Sequence, residues 1–194
     1  MLIPEPWMHV HGRQQSTWNP IYFVPSRLRT EILNEPFEAL RVCCITAEDL
    51  FGPNDWALFL STSEEQRTAV QLDCCVSTHP DVLRPILAGG RKANVLFSVR
   101  EYLVPLDTEL SCKIDVVSGM TIRDVYEQVI EAGLHKFEFT RNGFGHRHWI
   151  RSFIHHLSDS GFFVDQAQVA QAKESLRMIW PGGFDLPINE GLFY

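Results

Sequence analysis

The chain has 194 residues and is 45% hydrophobic, enough apolar content to fill the core of one compact domain. Its 24 acidic residues against 17 basic ones give a formal charge of −7, with the acids dispersed rather than in blocks. That balance argues against nucleic acid or an anionic membrane as the main partner, and no run approaches the ~20 apolar residues of a membrane span.

The opening MLIPEPWMHVHG lacks a basic segment and a long apolar core, so no secretory signal is expected. Residues 1–37 are rich in proline and read as an irregular arm, with Ser26 to Leu33 as a short helix before Pro36. Trp7, His9, His11, Trp18, Tyr22 and Phe23 give this arm enough apolar surface to pack on the domain or over a pocket. Residues 38–118 read mainly as strands. Ala39 to Thr46 (ALRVCCIT), Trp56 to Ser61 (WALFLS) and Thr68 to Val76 (TAVQLDCCV) predict an antiparallel meander with Trp56, Leu58 and Leu60 on one face. His79 to Lys92 reads as loop, and Val95 to Val104 and Cys112 to Val117 as two further strands.

Residues 119–194 read mainly as helices. Thr121 and Asp124 resemble a capping box that opens a helix with Ile122, Val125, Tyr126, Val129 and Ile130 along one stripe, and Gly133 as its stop. Phe137 and Phe139 mark a short strand. Asn142, Gly143 and Gly145 then make a turn into a second helix, whose buried face is Trp149, Ile150, Phe153, Ile154 and Leu157. Asp165 caps a third helix, expected to reach about Trp180 before Pro181-Gly182-Gly183 stops it, and the tail FDLPINEGLFY is expected to dock. The whole predicts a single α+β domain, an antiparallel sheet of about five to six strands with two to three helices packed on it.

The cysteines, Cys43, Cys44, Cys74, Cys75 and Cys112, form two adjacent pairs and a singleton, a pattern that fits no zinc spacing and leaves an odd count for disulfides. Buried free thiols, a reducing compartment and a cytoplasmic location are the expectation. His9-x-His11 lacks a nearby third ligand, His146 and His148 diverge on a helix, and His155-His156 suits a helix C-terminus; no metal site is expected. No serine nucleophile elbow, glycine-rich phosphate loop or zinc-deaminase signature is present, so no cofactor is expected.

Two stretches carry a resemblance. Asn54-Asp55-Trp56-Ala57-Leu58-Phe59 resembles the Asn-His-Trp strand start of an uncharacterised, largely fungal family of small proteins. Phe137-Glu138-Phe139 followed by Gly143-Phe144-Gly145-His146-Arg147-His148-Trp149 resembles that family's Tyr-x-Phe and Gly-x-Gly-Cys-Arg-Phe-Trp helix start. The pattern is in turn similar to circularly permuted papain-like folds of the NlpC/P60 type, which implies a permuted papain-like topology with a His on an early strand facing a Cys at a helix start. Asp55 stands where that His would be and His146 where that Cys would be, which argues against cysteine hydrolysis.

An Asp facing a His suits general acid–base work, and a His at a helix N-terminus should tend toward neutral. His146 and Asp55 are therefore the candidate catalytic pair; Trp56, Arg147, His148, Trp149 and Arg151 are the candidate substrate-binding residues. The leading expectation is a cofactor-independent isomerase, cyclase or lyase, with a pericyclic cyclisation as one form, acting on a small hydrophobic, oxygenated substrate of fungal-type specialised metabolism. The alternatives are a non-catalytic small-molecule binder on a degenerate papain-like domain, and a protein-interaction module that uses the aromatic arm.

Overall fold

The computed structural model describes residues 19–46, 53–78 and 90–194. Four helices lie against one face of a large, mostly antiparallel sheet. The strands are β1 (Ile21–Val24), β2 (Ala39–Ile45), β3 (Asp55–Ser63), β4 (Thr68–Val76), β5 (Arg91–Arg100), β6 (Thr108–Asp115), β7 (Phe137–Phe139), β8 (Met178–Ile179), β9 (Phe184–Asp185) and β10 (Leu192–Phe193). The helices are α1 (Arg29–Asn34), α2 (Ile122–Glu131), α3 (His146–Asp159) and α4 (Gln166–Ser175), with a single 3-10 turn at Ser26–Leu28 leading into α1.

Among the described residues the main sheet has eight strands, more than the five to six expected, and there are four helices against two to three. Its path runs β10-β7-β5-β4-β3-β2-β6, with β1 pairing with β5 in parallel. The extra strands, β1 and β10, are short. β1 pairs with β5 from Val95 to Ser98, and β10 pairs with the expected strand β7, which itself joins β5 at Arg91 and Lys92. Segments as short as these two carry little alternation of their own; a neighbouring strand organises them. Further boundaries differ. The strand expected at Val95 to Val104 begins at Arg91 and ends at Arg100, that expected at Cys112 to Val117 spans Thr108–Asp115, and α4 ends at Ser175. Beyond α4 the chain forms the small β8–β9 hairpin, so the last part of the expected third helix is extended instead.

The β2–β3–β4 meander forms as expected, because its apolar residues alternate cleanly. Leu40, Val42, Trp56, Leu58, Leu60, Val70, Leu72, Val95 and Phe97 face the helices and make the principal core. Cys43, Ala57, Phe59 and Ala69 face the other way and are covered by Leu103 from the β5–β6 connection. Helix α2 starts with the capping box anticipated: the Thr121 hydroxyl accepts from the Asp124 amide, and the Asp124 carboxylate accepts from the Thr121 amide at 2.7 Å. Gly133 follows at φ 68°, the left-handed stop that glycine supplies without strain. The five apolar residues of α3 are all fully buried against the sheet. The C-terminal tail docks through β10, which pairs Leu192 with Glu138 and Phe193 with Phe137.

One irregularity positions the site. Pairing between β3 and β4 runs from Ser63–Thr68 only as far as Leu58–Leu72. Beyond it, β3 stays with β2 down to Asp55–Ile45, and β4 stays with β5 out to Val76–Ala93. Two strand edges therefore part in the middle of the sheet, and α3 packs across both of them.

Candidate functional site

The turn before α3 is shaped by glycine. Gly143 has φ 81° and Gly145 has φ 134°, both in the region that side chains disfavour. Gly145 is also tightly enclosed: a Cβ there would lie 3.1 Å from Phe137 Cζ and 3.3 Å from the Gly191 nitrogen. Gly145 is the N-cap of α3 and brings no side chain to its first turn, so the amides of that turn receive no side-chain cap. His146, the first helical residue, is delivered to the parted edges of β3 and β4.

A cavity of about 430 Å³ opens in front of this turn. Three separate parts of the chain build it: Pro53 to Trp56 entering β3, Asn142 to Arg147 entering α3, and Ile179, Leu186 and Asn189 from the C-terminal segment. The volume falls within the range of small-molecule sites, and Trp56, Phe144, Ile179 and Leu186 make much of the wall apolar.

His146 is the titratable group best placed in that wall. Its Nε2 lies 3.5 Å from Asp73 Oδ1 on β4, with the two side chains 27% and 34% exposed. Burial pushes the imidazole below its ordinary value, while Asp73 and then Asp55 pull it upward. The net result is a neutral ring at neutral pH with carboxylates from both parted strands in its field. Asp55 lines the cavity, yet Asp73 rather than Asp55 makes the close approach to His146. By strand alternation Asp55 and Asp73 belong with Ala57 and Ala69 on the face away from the helices. The open seam lets a carboxylate on that side meet a residue delivered from the helical side.

The remaining candidates are distributed differently. Trp56 lines the cavity while also packing into the core, at 3% exposure. Trp149 is fully buried, stacks on Phe153 and donates its indole N–H to the Leu134 carbonyl at 2.8 Å; it belongs to the core rather than to the cavity wall. Arg147 borders the cavity, but its guanidinium donates to the carbonyls of Leu176 (2.8 Å), Leu186 (3.1 Å) and Pro187 (2.8 Å). It ties α3 to the segment that forms the opposite wall. His148 and Arg151 line a second cavity on another side of α3.

Asn54 and Asp73 were not singled out from sequence. Asn54 is 7% exposed and spends its amide on the fold, donating to the Ile45 and Trp180 carbonyls and accepting from the Trp180 amide at 2.7 Å. Its signal was its place in the Asn-Asp-Trp run. Asp73 also left a trace: an acid in the middle of a strand otherwise made of apolar and neutral polar residues.

Cysteine chemistry has no support in this arrangement. All five thiols are free, and burial pushes Cys44 up to about 12 and Cys43 up to about 11. Among the described residues no group of three or more His, Cys, Asp or Glu side chains is placed to hold a metal ion, and no helix is long and apolar enough to cross a membrane. His9-x-His11 and the rest of the arm up to residue 18 lie outside the described residues.

The family described as domain of unknown function (DUF7770) matches residues 40–194, and the chain belongs to it. The match covers both walls of the cavity, the seam and α3. No curated protein and no solved structure matches the chain.

Proposed function

We propose that the larger cavity is the active site of a cofactor-independent enzyme that moves a proton on a small, mostly apolar, oxygenated molecule, as an isomerase, cyclase or lyase. The observation that carries this reading is His146: a neutral imidazole in a cavity wall with the Asp73 carboxylate 3.5 Å away. A neutral ring is the form that accepts a proton, and a nearby carboxylate stabilises the imidazolium that results.

The uncapped first turn of α3 supplies the complementary half. Its first two residues, His146 and Arg147, line the same cavity, and amides at an uncapped helix start can stabilise an oxyanion as it develops. A carbonyl substrate would lose an α-proton to His146 as the C–H electron pair moves into the carbonyl to form an enolate. Return of the proton at another carbon gives an isomer, departure of a β-substituent gives elimination, and attack on an internal electrophile closes a ring. Arg147 acts here as a positioning residue that fixes the far wall, since its donors are engaged by backbone carbonyls.

The test does not depend on the identity of the natural substrate. The protein is incubated in D2O with a panel of small ketones, enones and lactones, and deuterium gain at the α-carbon is followed by mass spectrometry. His146→Gln should abolish exchange, and Asp73→Asn should slow it by roughly tenfold or more, within the usual span of general-base effects. Exchange by His146→Gln at the wild-type rate would remove the assigned base. Tight binding of a panel member with no exchange by the wild type would make the cavity a binding site without chemistry.

A further inference from the structure

The second cavity, about 350 Å³, is lined by His148, Arg151, Ser152, His155, Lys173 and Glu190. It lies between the outer side of α3, Lys173 of α4 and the segment before β10. In contrast to the first cavity, every residue lining it is polar or charged.

We propose that this cavity is a binding site for a small tetrahedral oxyanion, the phosphate group of a phosphorylated metabolite or peptide. Its basic groups converge from two helices on one hollow. Among the described residues Arg151, Lys173 and the Ser152 hydroxyl make no side-chain hydrogen bond or close ion pair, although Asp159 lies in the field of Lys173. His148 Nδ1 is buried with no hydrogen-bond partner. Arg151 is exposed and Lys173 half-buried, so both guanidinium and ammonium remain available to a ligand, while the buried Nδ1 of His148 is a polar atom that a partner would stabilise.

The groups around His148 set the charge the site prefers. Burial holds the imidazole below its ordinary value; Glu190 on the C-terminal segment pulls it up, Arg151 on α3 pushes it down, and a bond to the Gly191 backbone pulls it up. Lys173 on α4 is also lowered, by burial first, with Asp159 opposing and Arg151 adding to the shift. His155 is engaged with Asp159 at 3.4 Å. Arg151 thus repels both of its basic neighbours, and an anion seated among them would relieve that repulsion and favour protonated His148. Donors arriving from two helices suit an ion that presents oxygens in several directions. A carboxylate offers two oxygens in one plane, whereas phosphate offers a tetrahedral set. Glu190 is the opposing element, a carboxylate in the same wall.

Isothermal titration of the full chain at low salt, with inorganic phosphate, phenyl phosphate, a short phosphoserine peptide and acetate in parallel, tests the site. Saturable binding of phosphate and at least one phosphorylated compound is expected, with acetate binding at least tenfold more weakly. Arg151→Met and Lys173→Met should each weaken phosphate binding about tenfold, as loss of a charge-assisted contact does. Glu190→Gln should strengthen it several-fold, a gain that a misfolded variant would not give. The His148 ring, followed by NMR, should titrate at higher pH with phosphate bound. Absence of saturable phosphate binding, preference for acetate, or affinity unchanged in both cation variants would each overturn the proposal. The phenyl phosphate and phosphopeptide arms separate a metabolite from a peptide as the source of the phosphate.

Discussion

His146 and His148 stand two residues apart and face different hollows, yet both are held below the ordinary imidazole value, chiefly by burial. The consequence for stability has a definite sign. The unfolded chain, with imidazoles near 6.5, takes up protons at pH values where the folded chain still refuses them. The stability these residues contribute is therefore complete above about pH 6.5 and is lost as pH falls through their lower folded values. Thermal melting should show a falling midpoint between pH 7 and pH 5, above the range where most carboxylates titrate. The double variant His146→Asn, His148→Asn should flatten that slope. A wild-type midpoint that is constant or rises on acidification would contradict it.

The same stretch shows what single residues reveal in sequence and what they withhold. His146 was legible because its setting is local: a glycine turn, then an amphipathic run, places it first on α3. Its partner was not, because the approach of Asp73 depends on where two strands separate, and no periodicity encodes that. Helical geometry separates Trp149 and His148 from His146. Successive residues turn by ~100°, so Trp149 falls on the buried stripe and His148 on another side. The geometry that argues against a metal pair at positions 146 and 148 also divides them between cavities.

At the level of elements, segments with a repeating apolar pattern are legible, as are the short strand at Phe137 and Phe139 and the short helix near Ser26, whereas the other short strands are not. The meander, the Thr121 capping box and the apolar face of α3 each follow from a repeating local rule. β1, β8, β9 and β10 span two to four residues and exist because a partner strand accepts them. One side chain joins elements remote in sequence. Asn54, entering β3, holds Trp180 beside the β8–β9 hairpin through two hydrogen bonds and reaches the end of β2 through a third. Asn54→Ala would strand buried carbonyl and amide groups, each worth about 1–3 kcal/mol when left unsatisfied. A loss of roughly 2–4 kcal/mol in chemical denaturation is expected. A loss under about 0.5 kcal/mol, the usual size of a neutral surface change, would show that water replaces the amide.

At the scale of the molecule, the helices cover one face of the sheet and leave a thinner apolar cluster around Phe59 to be closed by a connection carrying Leu103. The last residues complete this arrangement: Phe193 packs on Phe137 and His148, and Leu186 and Asn189 form part of the first cavity wall. Removing residues 184–194 should leave the meander and most of the principal core in place while exposing Phe137. Far-UV circular dichroism should stay near that of the full chain, whereas α-proton exchange should disappear. Retention of exchange by the shortened chain would detach the first cavity from the tail.

The strip from Leu186 to Gly191 runs between the two hollows. Arg147 grips its beginning, and His148 contacts its end through Gly191. Asn189 borders one chamber and its neighbour Glu190 the other. Adjacent residues on one backbone shift together, so an anion that pushed Glu190 aside would also carry Asn189 with it. Occupancy on the charged side would then be felt as a change of shape on the apolar side, and each ligand would alter the other's affinity by the same factor.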